Sequence, residues 1–406
     1  MSGSLLRDRA GEQRVTNIEL FFDLVYVFAV TQLSHHLLQH PTVEGALQTA
    51  LLLAIVWLPW AYTTWVTNWF DPERIPIRSL LVVLMLASLV MSAGLPEAFE
   101  HRGLMVAAAL VAMQIGRTIF VVLALRGDPL QANFERILAW LLVSGALYLG
   151  GGFAEGHTRE VLWLLGVAVD LAGGAVGFWT PGLGRTRTDE WTIEGGHFAE
   201  RCQLFVIIAL GESIVVIGQA LSDQHPIQGQ DVAAFVTALA GSVALWWVYF
   251  DRSATDGARI IAESDDPGRM GRNAYHLVHP IMIGGIIVAA AADERVFDHP
   301  TVRAETATAW MVLGGAALFL AGHAAFKAIV WRIVPWTRLA AIVVLALLAI
   351  AVPHVSALTL AILSTLVVIA VAVADRLLPH ASTLSQAVRS ESSTSAADGG
   401  PFDAAI

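Results

Sequence analysis

A small set of ionisable residues interrupts long apolar runs of this chain, and the types are those that hold or pass protons. Glu19 and Asp23 lie four residues apart near the start of the first run, with Tyr26 close behind. On a helix the two acids stand one above the other on one face. His197, Glu200 and Arg201 open a later run, and Glu212 follows eleven residues after Arg201. Helical geometry puts Arg201 and Glu212 within about 20° of one face but roughly 16 Å apart along the axis, too far to pair. Asp170 sits deep in another run with Gly173 and Gly177 behind it, and Arg117 lies deep in a fourth. An ionised side chain at the centre of a bilayer costs at least about 2.5 kcal/mol. Each of these groups therefore needs a counter-ion, a proton or a wet cavity.

These needs set alternatives. The Glu19 and Asp23 face is either a proton or cation relay or a salt bridge that anchors the helix. Glu212, the deepest acid on an interior turn, is the leading relay candidate, and Gly211 beside it would let a ligand approach closely. Asp170 either hydrogen-bonds across a close helix contact at Gly173 and Gly177 or shares a pathway with Glu212. The expected partner of Arg117 is Asp170, Glu212 or Asp23. Trp57, Pro59 and Trp60, with Trp65 beyond, form an aromatic stretch that either lines a cavity or packs on neighbours, and Tyr26 is a further lining candidate. Pro59 removes one backbone bond within its helix.

Other chemistry finds little support. Cys202 is the only cysteine, which excludes an intrachain disulfide and a thiolate metal cluster. His35, His36 and His40 form one histidine group and His276 with His279 another, but neither supplies three or four metal ligands with neighbouring carboxylates, and no His-Glu-x-x-His run occurs. No metal or other cofactor is expected. There is no glycine-rich phosphate loop and no serine elbow, so an enzyme is not indicated. The net charge of −10 comes without a basic patch, which argues against a nucleic-acid partner.

The elements that must hold these residues are membrane helices. Mean hydropathy is +0.64, and apolar types make up 56% of the chain against 14% charged, too apolar for a water-soluble fold. About 20 apolar residues cross the hydrocarbon layer. Runs of that length occur at 17 to 38, 44 to 67, 76 to 95, 103 to 125, 134 to 152, 160 to 180, 197 to 220, 231 to 250, 273 to 292, 306 to 330, 334 to 352 and 356 to 377. Seventeen of the 24 Lys and Arg residues fall in alternate gaps and only four in the others. Because cytoplasmic loops collect Lys and Arg, both termini are expected in the cytoplasm. The last two runs are separated by Pro353 to Ser356, which reads as a tight hairpin. Trp69, Trp179, Trp191, Trp331 and Trp336 read as interfacial anchors.

The fold expected is all-α and polytopic, with about twelve spans in two parallel repeats of six. Glu19 and Trp69-Phe70-Asp71 in the first half match Glu200 and Tyr249-Phe250-Asp251 in the second, and Arg117 aligns with His323. The organisation is a cytoplasmic segment (1–16), a first half (17–180), a connector (181–196), a second half (197–377) and a disordered cytoplasmic tail (378–406). Repeat-built transporters place their sites between halves.

Three stretches carry a family resemblance. Arg14 to Leu33 (RVTNIELFFDLVYVFAVTQL), Trp65 to Asp71 (WVTNWFD) and Gly196 to Val215 (GHFAERCQLFVIIALGESIV) resemble the bacterial low temperature requirement protein A family. The resemblance implies a polytopic membrane protein connected with growth in the cold, and it transfers no ligand or catalytic residue. Two functions remain open. One is a secondary transporter of a small solute or ion, coupled to protons through Glu212, Asp23 and Glu19. The other is a non-transporting scaffold or sensor whose buried charges hold helices in register.

Overall fold

The computed structural model describes residues 5–7, 14–186, 195–222, 226–251, 253–262, 264 and 266–377. The chain from 378 onward, expected as a tail, lies outside the described residues, as do Trp191 and half of the connector, 187–194. Every element longer than a single bridge is helical among the described residues. In order they are α1 (Asn17–Gln39), α2 (Val43–Trp69), α3 (Ile75–Gly94), α4 (Gly103–Ala124), α5 (Gln131–Phe153), α6 (Gly156–Ala175), α7 (Gly195–Ser222), α8 (Gly229–Phe250), short α9 (Ser253–Ala262) and α10 (Pro267–Gly271), then α11 (His279–Asp298), α12 (Thr306–Trp331), α13 (Trp336–Leu348) and α14 (Ala357–Leu377).

Among the described residues, eleven helical segments are long and apolar enough to cross a membrane. The exception among the twelve expected is α6, which has the length but carries Arg159, Glu160 and Asp170. It nevertheless runs alongside its neighbours from end to end. Its first turn anchors on the α3–α4 connection, where Arg159 Nη1 donates to the carbonyls of Ala98 (2.8 Å) and Glu100 (2.7 Å). At its other end the Gly174 carbonyl accepts from Arg272 at the approach to α11. The helix stops five residues before the sequence boundary at 180. Gly177 and Phe178 take left-handed φ values of +65° and +50°, and the Phe178 N–H bonds back to the Gly173 carbonyl at 2.7 Å, closing a Schellman end. Gly177 is thus a stop rather than part of a helix-packing stripe.

Two further departures concern the second half. The segment from 251 to 272, read as a loop, holds α9 and α10. The ninth run begins with a π-helical turn, Arg272–Leu277, before α11 starts at His279 with Pro280 in its first turn. Elsewhere the hairpin expected near Pro353 is present: α13 ends in a 3-10 turn, Ala349–His354, and α14 starts at Ala357.

Within each half, the first helix packs on the second and third, the third on the fourth, the fourth on the fifth, the fifth on the sixth, and the sixth returns to the second. In the second half these roles fall to α7, α8, α11, α12, α13 and α14. The halves meet where α1 and α2 pack against α7 and α11. The tightest pairing is α11 on α12, and small residues permit it: a Cβ at Gly285 would lie 2.5 Å from the Phe319 backbone nitrogen, and one at Gly315 2.8 Å from that of Ala289. Without a hydrophobic drive between helices in lipid, such close backbone approach is what packing uses. Val83, Leu86, Val143, Leu164, Val343 and Leu347 remain exposed, an apolar coat suited to lipid.

Candidate functional site

Two buried polar regions are built around α2, one on each side of it. The first lies at the proximal end of the bundle, the end that holds Asn17. There α1 and α7 run parallel, and Arg201 sits between both acids of α1. Arg201 Nε donates to Asp23 Oδ2 at 2.7 Å and Nη1 to Glu19 Oε1 at 3.1 Å, with the guanidinium also bonded to Asp23 Oδ1. Asp23 Oδ1 takes a further bond from Trp60 Nε1 at 2.7 Å. His197 donates through Nε2 to Glu19 Oε1 at 2.9 Å and accepts at Nδ1 from Asn68 at 3.3 Å.

The remaining oxygen of Glu19 is equally occupied. Arg7 Nη2 donates to it at 2.9 Å, and Thr16 bonds to it through its N–H at 3.0 Å and its hydroxyl at 2.9 Å. Arg7 reaches this place because residues 5–7 lie against the end of α2, where the Arg7 N–H bonds the Trp69 carbonyl at 2.8 Å. Two guanidinium groups stand against two carboxylates, with the His197 imidazole between them. Glu19, Asp23, His197 and Arg201 are buried, and Arg7 and Thr16 are half-buried. Breaking one partner out of such a buried pair costs about 3–5 kcal/mol. Glu200, one residue from Arg201, points away and is exposed, accepting from the Val15 N–H at 3.3 Å.

The second region lies on the other face of α2. Tyr62, Trp65 and Trp69 of α2, Arg117 of α4, Phe134 of α5, Asp170 and Gly174 of α6, and Arg272 and His276 of the π turn enclose a cavity of about 130 Å³. Asp170 Oδ2 accepts from the Tyr148 hydroxyl at 3.0 Å. Its Oδ1 has no hydrogen-bond partner of ordinary geometry, although the Ser144 hydroxyl stands alongside. Arg117 donates to the Pro59 carbonyl (3.0 Å), Thr63 Oγ1 (3.1 Å) and Gln114 Oε1 (2.6 Å). Its Nε and the Nδ1 of His276 are buried without partners. Arg117 is thus held by neutral oxygens. The carboxylate partner expected for it, Asp170, Glu212 or Asp23, is not there: Asp23 is taken by Arg201, Glu212 by Thr31 and Asp170 by Tyr148.

Beyond His276 a larger cavity of about 510 Å³ runs toward the distal end between α2 and α6 on one side and α11 and α12 on the other. Leu171, His276 and Leu277 wall both cavities. Together they follow the seam between the halves. The π turn shapes this place: Trp57 Nε1 donates to the His276 carbonyl at 2.8 Å, and such turns recur at functional sites.

Glu212 borders neither cavity. It is 2% exposed, and Oε2 is hydrogen-bonded with the Thr31 hydroxyl of α1 while Oε1 has no partner. Thr31 and Glu212 are 181 residues apart, the separation of Glu19 from Glu200, so equivalent positions of the two halves touch. Space beside Gly211 is open.

Of the aromatic candidates, Trp57 walls the larger cavity, whereas Pro59, Trp60 and Tyr26 line neither of the two. The Trp57 and Trp60 rings lie 4.7 Å apart, tilted by 34°, and both meet Phe205 of α7. The Tyr26 ring packs on Phe22 and Phe205, and its hydroxyl is buried without a partner. Trp69 is buried against Phe134 rather than set at an interface, while Trp179 and Trp336 are exposed.

Three participants escaped the sequence reading. Arg7 sits in a stretch taken as a solvated terminus. Arg272 lay in an expected loop end. The third is a group at the distal ends of α2 and α6, where ligand atoms of Glu44, His157 and Glu160 lie within 4.8 Å of one another. Glu160 there is already bonded by His157 (2.9 Å) and Gln48 (2.7 Å). Glu44 stands more than 100 positions from the other two, so no spacing pattern could signal it.

The chain was compared with known proteins. The model of the family described as bacterial low temperature requirement A protein (LtrA) matches residues 14–373. A curated relative, Uncharacterized protein RA0937 of Rhizobium meliloti (strain 1021), is 35% identical over 371 residues, covering 91% of this chain and 90% of its own. No solved structure matches. With most of the chain matched, including the acids of α1 and the proximal turn of α7, this multi-pass membrane protein belongs to the bacterial low temperature requirement A family.

Proposed function

We propose that the protein is a secondary transporter that binds a small solute in the cavity at the seam between its halves and couples its passage to protons. The observation that carries this reading is that three residues lining that cavity each hold a buried polar atom without a partner: Asp170 Oδ1, Arg117 Nε and His276 Nδ1. A buried polar group left unsatisfied costs about 1–3 kcal/mol. A bound solute offering both an acceptor and a donor would recover that cost, which a purely structural region has no reason to bear.

Glu212 is the proton carrier in this reading. Thr31 has one hydroxyl proton and two acceptors in reach, Glu212 Oε2 and the Val27 carbonyl at 3.1 Å. With Glu212 ionised the hydroxyl serves Glu212; with Glu212 protonated the acid can donate and Thr31 is free to serve Val27. The network therefore accommodates either state. Glu19 and Asp23, fully bonded to Arg7, Arg201, His197 and Trp60, act as a clamp between halves instead of as a relay. The alternating Lys and Arg distribution supports cytoplasmic termini, which would open the polar cavity toward the cytoplasm.

The clamp also favours a second reading, a non-transporting scaffold or sensor for the cold, because it is what a purely structural charge cluster looks like. Proteoliposomes with an imposed pH gradient and a trapped pH dye separate the two. Under the transport reading, some members of a panel of small anionic and zwitterionic solutes collapse the gradient, and Glu212→Gln, folded and inserted, abolishes that response. If no solute collapses it and Glu212→Gln instead unfolds the protein, the scaffold reading stands.

A further inference from the structure

We infer that the seam crevice is a binding site for a single-chain amphiphile with an anionic head, the head lying between Arg117 and Arg272 and the chain in the larger cavity. This deepens the solute reading above by naming its chemical class, and it rests on the same site but not on transport.

Charge sets the head. Two guanidinium groups and one carboxylate face the polar cavity, and no carboxylate lies within ion-pair distance of Arg117 or Arg272 among the described residues. The polar contact made by Arg272 is to a carbonyl, that of Gly174 across the seam, and Arg117 keeps a buried Nε without a partner. Guanidinium forks are suited to carboxylate and phosphate oxygens. Asp170, bonded by Tyr148, limits the site to a head small enough to avoid it or protonated on that side.

The wall beyond His276 sets the chain. The larger cavity, about 510 Å³, is lined almost wholly by apolar side chains and falls in the usual range of roughly 300–1,000 Å³ for small-ligand sites. Thr49 and His276 are the polar residues of its wall. Leu171, His276 and Leu277 wall both cavities, so the two lie side by side and a ligand that passes these side chains occupies both. Leu171, Leu277, Ile281 and Leu318 of the larger cavity's wall are only partly covered, apolar side chains past which a ligand already dissolved in the bilayer would enter. One apolar lobe beside one polar lobe takes one chain.

The test uses the full chain in discs of phosphatidylcholine, titrated with dodecyl phosphate carrying a terminal bromine and with the matching brominated trimethylammonium compound. Binding is read by bromine quenching of tryptophan fluorescence, since Trp57 and Trp310 wall the larger cavity, and by native mass spectrometry for stoichiometry. The phosphate should bind one per protein, at least about tenfold tighter than the cation. Arg272→Gln and Arg117→Gln should each weaken it about tenfold, the size of one lost charge-assisted hydrogen bond, while Arg74→Gln, an exposed cation on the same end, leaves it unchanged. Gly314→Leu, whose added side chain enters the chain cavity, should abolish quenching in a protein that elutes as a folded monodisperse species. Equal binding of the two head charges, or full binding by folded Arg117→Gln and Gly314→Leu proteins, overturns the assignment. Displacement by phosphatidylglycerol added to the discs overturns the single chain in favour of a resident two-chain lipid. Specific binding without any gradient response in proteoliposomes would leave this site standing and remove transport.

Discussion

The two faces of α2 treat buried charge in opposite ways. Toward α1 and α7, every oxygen of Glu19 and Asp23 has a donor, and the cations and anions cancel. Toward α4 and α6, Arg117 is held by neutral oxygens and Asp170 by a phenol, and both residues line a cavity and keep a polar atom without a partner. Burial is the same on both faces, so burial alone does not mark a site. What distinguishes them is whether the polar valences are closed by the protein itself. A closed set holds helices in register, and an open one has capacity left for a ligand.

The contrast is tested most strongly by Arg201→Met. It strands the buried Asp23 carboxylate and takes one of two guanidinium partners from Glu19, and should cost about 3–5 kcal/mol, seen as loss of monodisperse protein or a large fall in thermal unfolding temperature in detergent. A stable Arg201→Met protein would break the distinction. Arg117→Met, an equally buried guanidinium, strands only neutral oxygens and should cost roughly 1–3 kcal/mol, markedly less in the same assay. Tyr148→Phe removes the single donor to Asp170 and should lower stability by about 1 kcal/mol while altering solute or amphiphile binding; unchanged binding would place Asp170 outside the site. Glu200→Gln, an exposed change beside the clamp, should stay within about 0.5 kcal/mol, and a larger effect in the unfolding assay would mean that the clamp extends to the surface.

Much of the scaffold was legible from composition and charge. Eleven of the expected spans appear among the described residues as helical segments long and apolar enough to cross a membrane. Hydropathy reads these because lipid forces backbone polar groups to be satisfied within each helix, a local requirement. The end of α6 was misjudged because apolar residues continue past Gly177, whose left-handed backbone turns the chain irrespective of hydropathy. Conversely the π turn before α11 leaves no hydropathy signal, since its register shift changes the backbone and not the residue types.

The list of buried ionisable residues, and the fact that Arg201 and Glu212 cannot bond to each other, followed from the amino-acid order alone, because helical rise is fixed. Which group meets which did not. Glu19 and Glu200 align between the halves, yet one is buried among five donors and the other is exposed. Arg117 aligns with His323, yet His323 accepts from Arg338, which is itself bonded to Asp375, while Arg117 faces a cavity. Local order sets the depth of each charge in the layer. Only the packing of α2 between α7 and α4 decided which charges were closed off and which were left facing a space, since partners more than a hundred residues apart meet through tertiary contact.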